Sequence, residues 1–177
     1  MRNFLYLLLL GVILGTIAIV VRSGLLARKN PGVPINSTMR QSLAEETPEL
    51  SESDATLIRS RYANAHRLRS GLLYVERAPG TGNEVAREGH EIVVHYDGRL
   101  LDGTPFDSSY KSGVPLTFRI GAGQVIKGWD EGFLGMKRGE KRTLVIPYWL
   151  AYGVRGNPPS IPPQATLVFD VEVLDVR

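Results

Sequence analysis

No cysteine occurs anywhere in the 177 residues, which excludes disulfides, thiolate metal sites, cysteine nucleophiles and a lipidated N-terminal cysteine. Histidine is scarce as well. His66, His90 and His95 are the only three, and none stands in an HxxxH or HxH pair, so no metal site is expected and none of the familiar metal-ligand spacings is present. Charge of one sign is missing from the C-terminal part. Residues 71–177 carry twelve Lys/Arg against thirteen Asp/Glu, whereas residues 1–70 carry nine against five. The basic character of the chain therefore sits in its first part, and a near-neutral remainder argues against nucleic acid as a partner. Internal repeats are absent too.

What the chain does have begins with one long apolar run. Residues 4–21 are eighteen uncharged residues rich in Leu, Ile and Val. As a helix they would extend about 27 Å, close to the hydrocarbon thickness of a bilayer. The run is longer than a usual signal-peptide core, and no A-x-A-like cleavage site follows it. Residues 1–21 are thus expected to be a membrane anchor, with a cleaved signal and a soluble exported protein as the alternative. Arg2 precedes the run, and Arg22, Arg28 and Lys29 follow it. A positive-inside count on these charges favours a cytoplasmic domain, whereas a signal-anchored folding helper would face outward. The expectation is a single-pass protein whose domain is extracytoplasmic.

Residues 22–50 hold Pro31, Pro34 and Pro48 among polar residues with little apolar periodicity, the composition of a flexible tether. Over 53–68, Leu57, Ile58, Tyr62, Ala65 and Leu68 recur at helical spacing behind Ser53 and Asp54 as caps, so 51–70 is expected to hold a short amphipathic helix. From residue 71 the pattern turns strand-like. Strands are predicted over 72–77, 90–101, 115–120, 140–146 and 165–176, the last with Leu167, Phe169, Val171 and Val173 on one face, and a short helix over 127–134. This is an α+β class: an antiparallel sheet against one helix. The domain is expected to span 71–177 and to fold alone as a monomer. Lys137, Arg138, Lys141 and Arg142 read as a solvated turn and strand surface.

Six segments carry the functional signal because they occur in fixed order: Val93-Val94-His95-Tyr96-Asp97-Gly98, Phe106-Asp107-Ser108-Ser109, Val125-Ile126-Lys127-Gly128-Trp129, Ala151-Tyr152-Gly153, Ile161-Pro162-Pro163 and Leu167-Val168-Phe169-Asp170-Val171-Glu172. Taken singly, each aromatic would be read as core, and Asp107 as a turn or cap residue. Taken jointly, they resemble the FKBP-type peptidyl-prolyl cis-trans isomerases over residues 71–177. The resemblance implies a five- to six-stranded antiparallel sheet wrapped around one short helix, with a proline pocket between them. It makes Trp129 the pocket floor and Tyr96, Phe106, Val125, Ile126 and Phe169 its walls. It further implies that Tyr152 and the Ile126 backbone N–H bind substrate carbonyls, that Asp107 lies beside the twisting amide, and that Ile161 leans over the rim. Asp107, Tyr152 and Tyr96 are then the catalytic residues.

Implied with these roles is catalysis of X-Pro bond rotation in unfolded or partly folded proteins, without a cofactor, and susceptibility to the family's macrolide inhibitors. The alternative is a tethered module that grips proline segments as a chaperone without turnover. Four positions depart from the commonest family pattern: Leu116 for phenylalanine, Gln124 for glutamate, Asn157 for histidine and Ser160 for isoleucine. All are expected at the pocket edge, where they bear on sequence preference and inhibitor affinity.

Overall fold

A computed structural model describes residues 48–177; the predicted anchor or signal segment and nearly all of the predicted tether lie outside the described residues. Among the described residues no helix is long and apolar enough to cross a membrane.

Two ten-residue strands form the middle of the sheet. β3 (Glu91–Leu100) and β7 (Leu167–Val176) pair antiparallel from Ile92↔Val176 to Leu100↔Leu167. Strand alternation then decides what goes inside: Leu167, Phe169, Val171 and Val173 join Ile92 and Val94 in the main core. β6 (Lys141–Ile146) lies on the other side of β7, followed by β2 (Leu73–Ala78) and the two-residue β1 (His66–Arg67). β4 (Pro105–Ser108) and β5 (Leu116–Arg119) share the free edge of β3, β4 beside its second half and β5 beside its first. Among the described residues the sheet thus has seven strands. Its antiparallel pairing matches the expected class, and the count exceeds five to six because β1 and β4 are too short to leave a period in the sequence.

α3 (Lys127–Gly132) lies against the inner face of β6. Two glycines one helical turn apart allow the close approach. A Cβ on Gly128 would stand 2.4 Å from Ile146 Cγ2, and one on Gly132 would stand 2.8 Å from Leu144 Cδ1. The helix can therefore rest almost flush on the strand, with Trp129 and Phe133 turned into the core. A further short helix, α2 (Ser109–Ser112), follows β4, its N-cap Ser108 accepting the Lys111 N–H.

The first helix among the described residues, α1 (Glu52–Arg61), begins at Ser51, whose hydroxyl accepts the Asp54 N–H at 3.1 Å, and carries Arg59 and Arg61 in its last turn. Both ends suit the helix dipole. The apolar spacing predicts a helix to Leu68, but α1 stops at Arg61. Leu57, Ile58, Tyr62 and Ala65 pack on a second cluster with Leu73, Leu101, Val145 and Val168, whereas Leu68 packs against the main core. One helix face cannot serve both clusters, so the chain leaves the helix, and His66–Arg67 pair with Tyr74 and Leu73 instead. The predicted domain boundary at residue 71 is crossed by buried contacts, and the compact unit runs Glu49–Arg177.

Candidate active site

β3, β4, the loop into α3, the turn after β6 and β7 converge on a cleft of about 230 Å³. Tyr96 comes from β3, Phe106 and Asp107 from β4, Leu116 from β5, and Gln124, Val125, Ile126 and Trp129 from the entrance to α3; Tyr152 and Phe169 complete the set. Trp129 is the hub. Its ring meets Tyr96, Phe133 and Phe169 edge to face at centroid distances of 5.0, 5.3 and 5.2 Å, the geometry that aromatic quadrupoles favour. Gly98 makes room beside it, since a Cβ there would lie 2.8 Å from Phe169 and 2.9 Å from Phe106.

Eight of the nine sequence-predicted site residues line this one cleft; Ile161 does not. Instead of leaning over the rim, Ile161 is buried in the main core, where its backbone exchanges hydrogen bonds with Asn157 at 2.8 and 3.0 Å. The loop folds back on itself there, so the isoleucine side chain fills space under the loop. Of the four departures, Leu116 and Gln124 line the cleft, whereas Asn157 and Ser160 are exposed residues outside it. Gln124 Oε1 is engaged, accepting the Arg119 N–H at 2.8 Å.

The polar groups are ordered. The Tyr96 hydroxyl donates to Asp107 Oδ2 at 2.7 Å, while Asp107 Oδ1 accepts the Ser108 N–H at 2.8 Å. With both oxygens bonded, the carboxylate has a fixed orientation. Burial raises the Tyr96 pKa far above its ordinary value, reinforced by the bond to Asp107 and by its charge. Tyr152 is raised by burial and then by the Asp107 charge. Both phenols remain protonated donors at neutral pH. The sequence signal missed the support behind Tyr96: Ser109 Oγ accepts the Tyr96 N–H at 2.7 Å and lies 2.9 Å from His95 Nδ1. A buried serine directly after a strand carries no distinctive pattern that would announce this.

A wider groove of about 550 Å³ lies on the outer face of the sheet, among Arg77, Asp97, Arg99, Lys141, Asp170 and Glu172. Four of these six charges pair with one another, while Arg77 Nε donates to the Thr143 hydroxyl at 2.8 Å and Asp97 accepts the Ser108 hydroxyl. Arg99 pairs with Asp170, whose other oxygen accepts the Thr143 hydroxyl at 2.6 Å, and Lys141 pairs with Glu172 at 2.9 Å. The aromatic cleft is therefore the better candidate for chemistry. Among the described residues no cluster of three or more His, Asp or Glu could hold a metal ion.

A family model described as FKBP-type peptidyl-prolyl cis-trans isomerase matches residues 82–174, just over half of the chain. The chain belongs to this family. Among curated FKBP relatives, the peptidyl-prolyl cis-trans isomerase FKBP15-2 of Arabidopsis thaliana is 54% identical over 103 residues, covering 58% of this chain and 63% of its own length. The FK506-binding protein of Neisseria meningitidis serogroup C is 54% identical over 106 residues, 60% of this chain and 97% of that protein. The chain thus spans somewhat less than two thirds of the plant FKBP and nearly all of the bacterial one. The crystal structure of FkpA from Escherichia coli superposes with a TM-score of 0.64 at 41% identity, covering 79% of this chain and 65% of that one. Every cleft residue lies inside the FKBP match, whereas α1, β1 and β2 precede it.

Proposed function

We propose that this protein accelerates cis-trans rotation about X-Pro bonds in unfolded or partly folded proteins. The observation that carries the proposal is the joint placement of an aromatic floor, Trp129, and an oriented polar wall, Tyr96–Asp107 with Tyr152, around one cleft. Rotation about the amide must break resonance across a barrier of about 18–20 kcal/mol, and unaided it takes tens to hundreds of seconds. No covalent intermediate is required. A cleft that holds the proline ring on Trp129 and offers donors to the carbonyls on either side lowers the barrier if it binds the twisted amide better than the planar one.

In this reading Trp129, Phe106, Val125, Ile126 and Phe169 grip the ring. Ile126 sits at the N-cap of α3 in extended conformation, the position from which its N–H reaches a substrate carbonyl. Tyr152, 41% exposed, stands at the mouth as a donor. Asp107, held by Tyr96, faces the rotating amide, where partial charge shifts as resonance is lost. No cofactor enters any step.

The test is a proline-isomerisation assay on the full chain and on Asp107→Val and Tyr152→Phe, with circular dichroism as the fold control. Each variant should fold and lose about tenfold in kcat/KM, the kinetic equivalent of about 1.4 kcal/mol of transition-state binding. Wild-type turnover no faster than the spontaneous reaction would leave a proline-binding chaperone module in its place. Unchanged turnover in the folded variants would remove the assigned roles.

For the whole chain, we extend the reading to an exported monomer held at a membrane by residues 1–21, with the family's macrolides as cleft ligands. The uncharged run over 4–21 motivates the anchor. On sealed membranes the domain should resist external protease when it lies in the lumen, and digestion from the cytoplasmic side would reverse the topology.

A further inference from the structure

Arg142 and Glu140 form a buried ion pair that the cleft chemistry does not use. Each side chain is only 10% exposed, and Arg142 Nε donates to Glu140 Oε1 at 2.8 Å. The pair does not stop there. Arg142 Nη1 donates to the carbonyls of Gly132 at 3.1 Å and Leu134 at 3.3 Å, at the C-terminal end of α3. Glu140 Oε2 accepts the Lys137 N–H at 3.0 Å, in the turn that leads from α3 back to β6. The guanidinium also lies 4.7 Å from the centroid of the Tyr74 ring. Along β6, the inward residues Ile146, Leu144 and Arg142 meet α3 in order from its start to its end: Gly128, then Gly132, then the last carbonyls.

The geometry points to Arg142 and Glu140 as positioning residues that set the axial placement of α3, and with it Trp129 and the Ile126 amide, on β6. This inference rests on the isomerase reading of the cleft. Gly128 and Gly132 seat the Ile146 and Leu144 side chains against α3 by van der Waals contact alone. A directional fork bonded to carbonyls at the end of the helix adds a hydrogen-bonded constraint along its axis. Stability alone explains the pair poorly, because replacing a buried ion pair by apolar residues of similar volume is often neutral or favourable. Its location explains it better, since Gly132 is three residues beyond Trp129, and a small misplacement of a binding group far from the reacting bond can lower turnover strongly.

The experiment compares the full chain with Glu140→Gln/Arg142→Met and with Arg142→Lys, measuring kcat and KM together with the Trp129 indole N–H resonance in the absence of substrate. The second tryptophan, Trp149, donates to Ser70 O at 2.8 Å and serves as the internal reference. The double variant should remain folded, shift the Trp129 resonance while leaving Trp149 in place, and lose about tenfold in kcat/KM. Arg142→Lys, which keeps the charge but not the fork, should show the same shift with a smaller loss. A lower melting temperature with both tryptophan resonances and kcat/KM unchanged would overturn the inference. Should the double variant fail to fold, Arg142→Lys decides alone, and an unchanged resonance in that variant is sufficient to reject it. If the wild-type chain shows no turnover, the isomerase reading falls, and the resonance still reports whether the pair positions Trp129.

Discussion

Trp129→Ala should lower the stability of the full chain by about 3–5 kcal/mol, the usual result of truncating a buried tryptophan, and abolish proline binding at the same time. The expectation follows from the ring's central place. Trp129 is 4% exposed and meets Tyr96, Phe118, Phe133 and Phe169, so its removal opens the floor of the cleft and the middle of the core together. Urea unfolding can be followed by the fluorescence of Trp149, the only tryptophan left in that variant. Trp129→Phe is the contrasting substitution. The indole Nε1 is buried without a hydrogen-bond partner among the described residues, so losing that N–H removes an unmet donor while an aromatic body remains. It should cost clearly less than the alanine variant. Equal losses in the two variants would mean that the indole N–H, and not the ring surface, is what the site needs.

The centre of the fold and most of the cleft are legible in the amino-acid sequence because their signals are local. β7 shows its inward face by strict alternation of Leu167, Phe169, Val171 and Val173, and the Val125–Trp129 segment declares itself by order and content. Relationships that depend on pairing are not legible. The bond between Tyr96 and Asp107 needs β4 to lie beside β3 with Gly98 opposite Asp107, next to a register shift that no period predicts. Arg142 misleads for a related reason: Lys141-Arg142 on a strand reads as surface, and only the docking of α3 shows that the second of the two points inward. Ile161 misleads because a loop isoleucine can cover a rim or fill the space beneath its own loop, and the sequence pattern is the same in both cases. Over 53–68, apolar spacing reports real burial but not one helix, because its residues serve two different clusters.

The fragment beginning at residue 71 should be severely weakened, although its sequence contains every cleft residue. Ile58 is 4% exposed and covers Leu73, Leu101, Val145 and Val168 on the outer face of the sheet. Burying one such side chain contributes about 1.5–3 kcal/mol. The same segment supplies three hydrogen bonds to the body: Arg61 to the Leu101 carbonyl at 2.9 Å, the Thr166 hydroxyl to Asp54 at 2.6 Å, and the Trp149 indole to the Ser70 carbonyl at 2.8 Å. At about 1 kcal/mol each, these bring the loss to roughly 5 kcal/mol, before β1 and the Leu68 contact are counted. Whole domains are stable by only about 5–15 kcal/mol. Residues 49–177 should therefore unfold cooperatively as a soluble monomer, whereas 71–177 should melt far lower and self-associate through the uncovered patch. Calorimetry and sedimentation on the two fragments provide the check. Matching melting temperatures and two monomers would show that α1 is an appendage and return the boundary to Gly71.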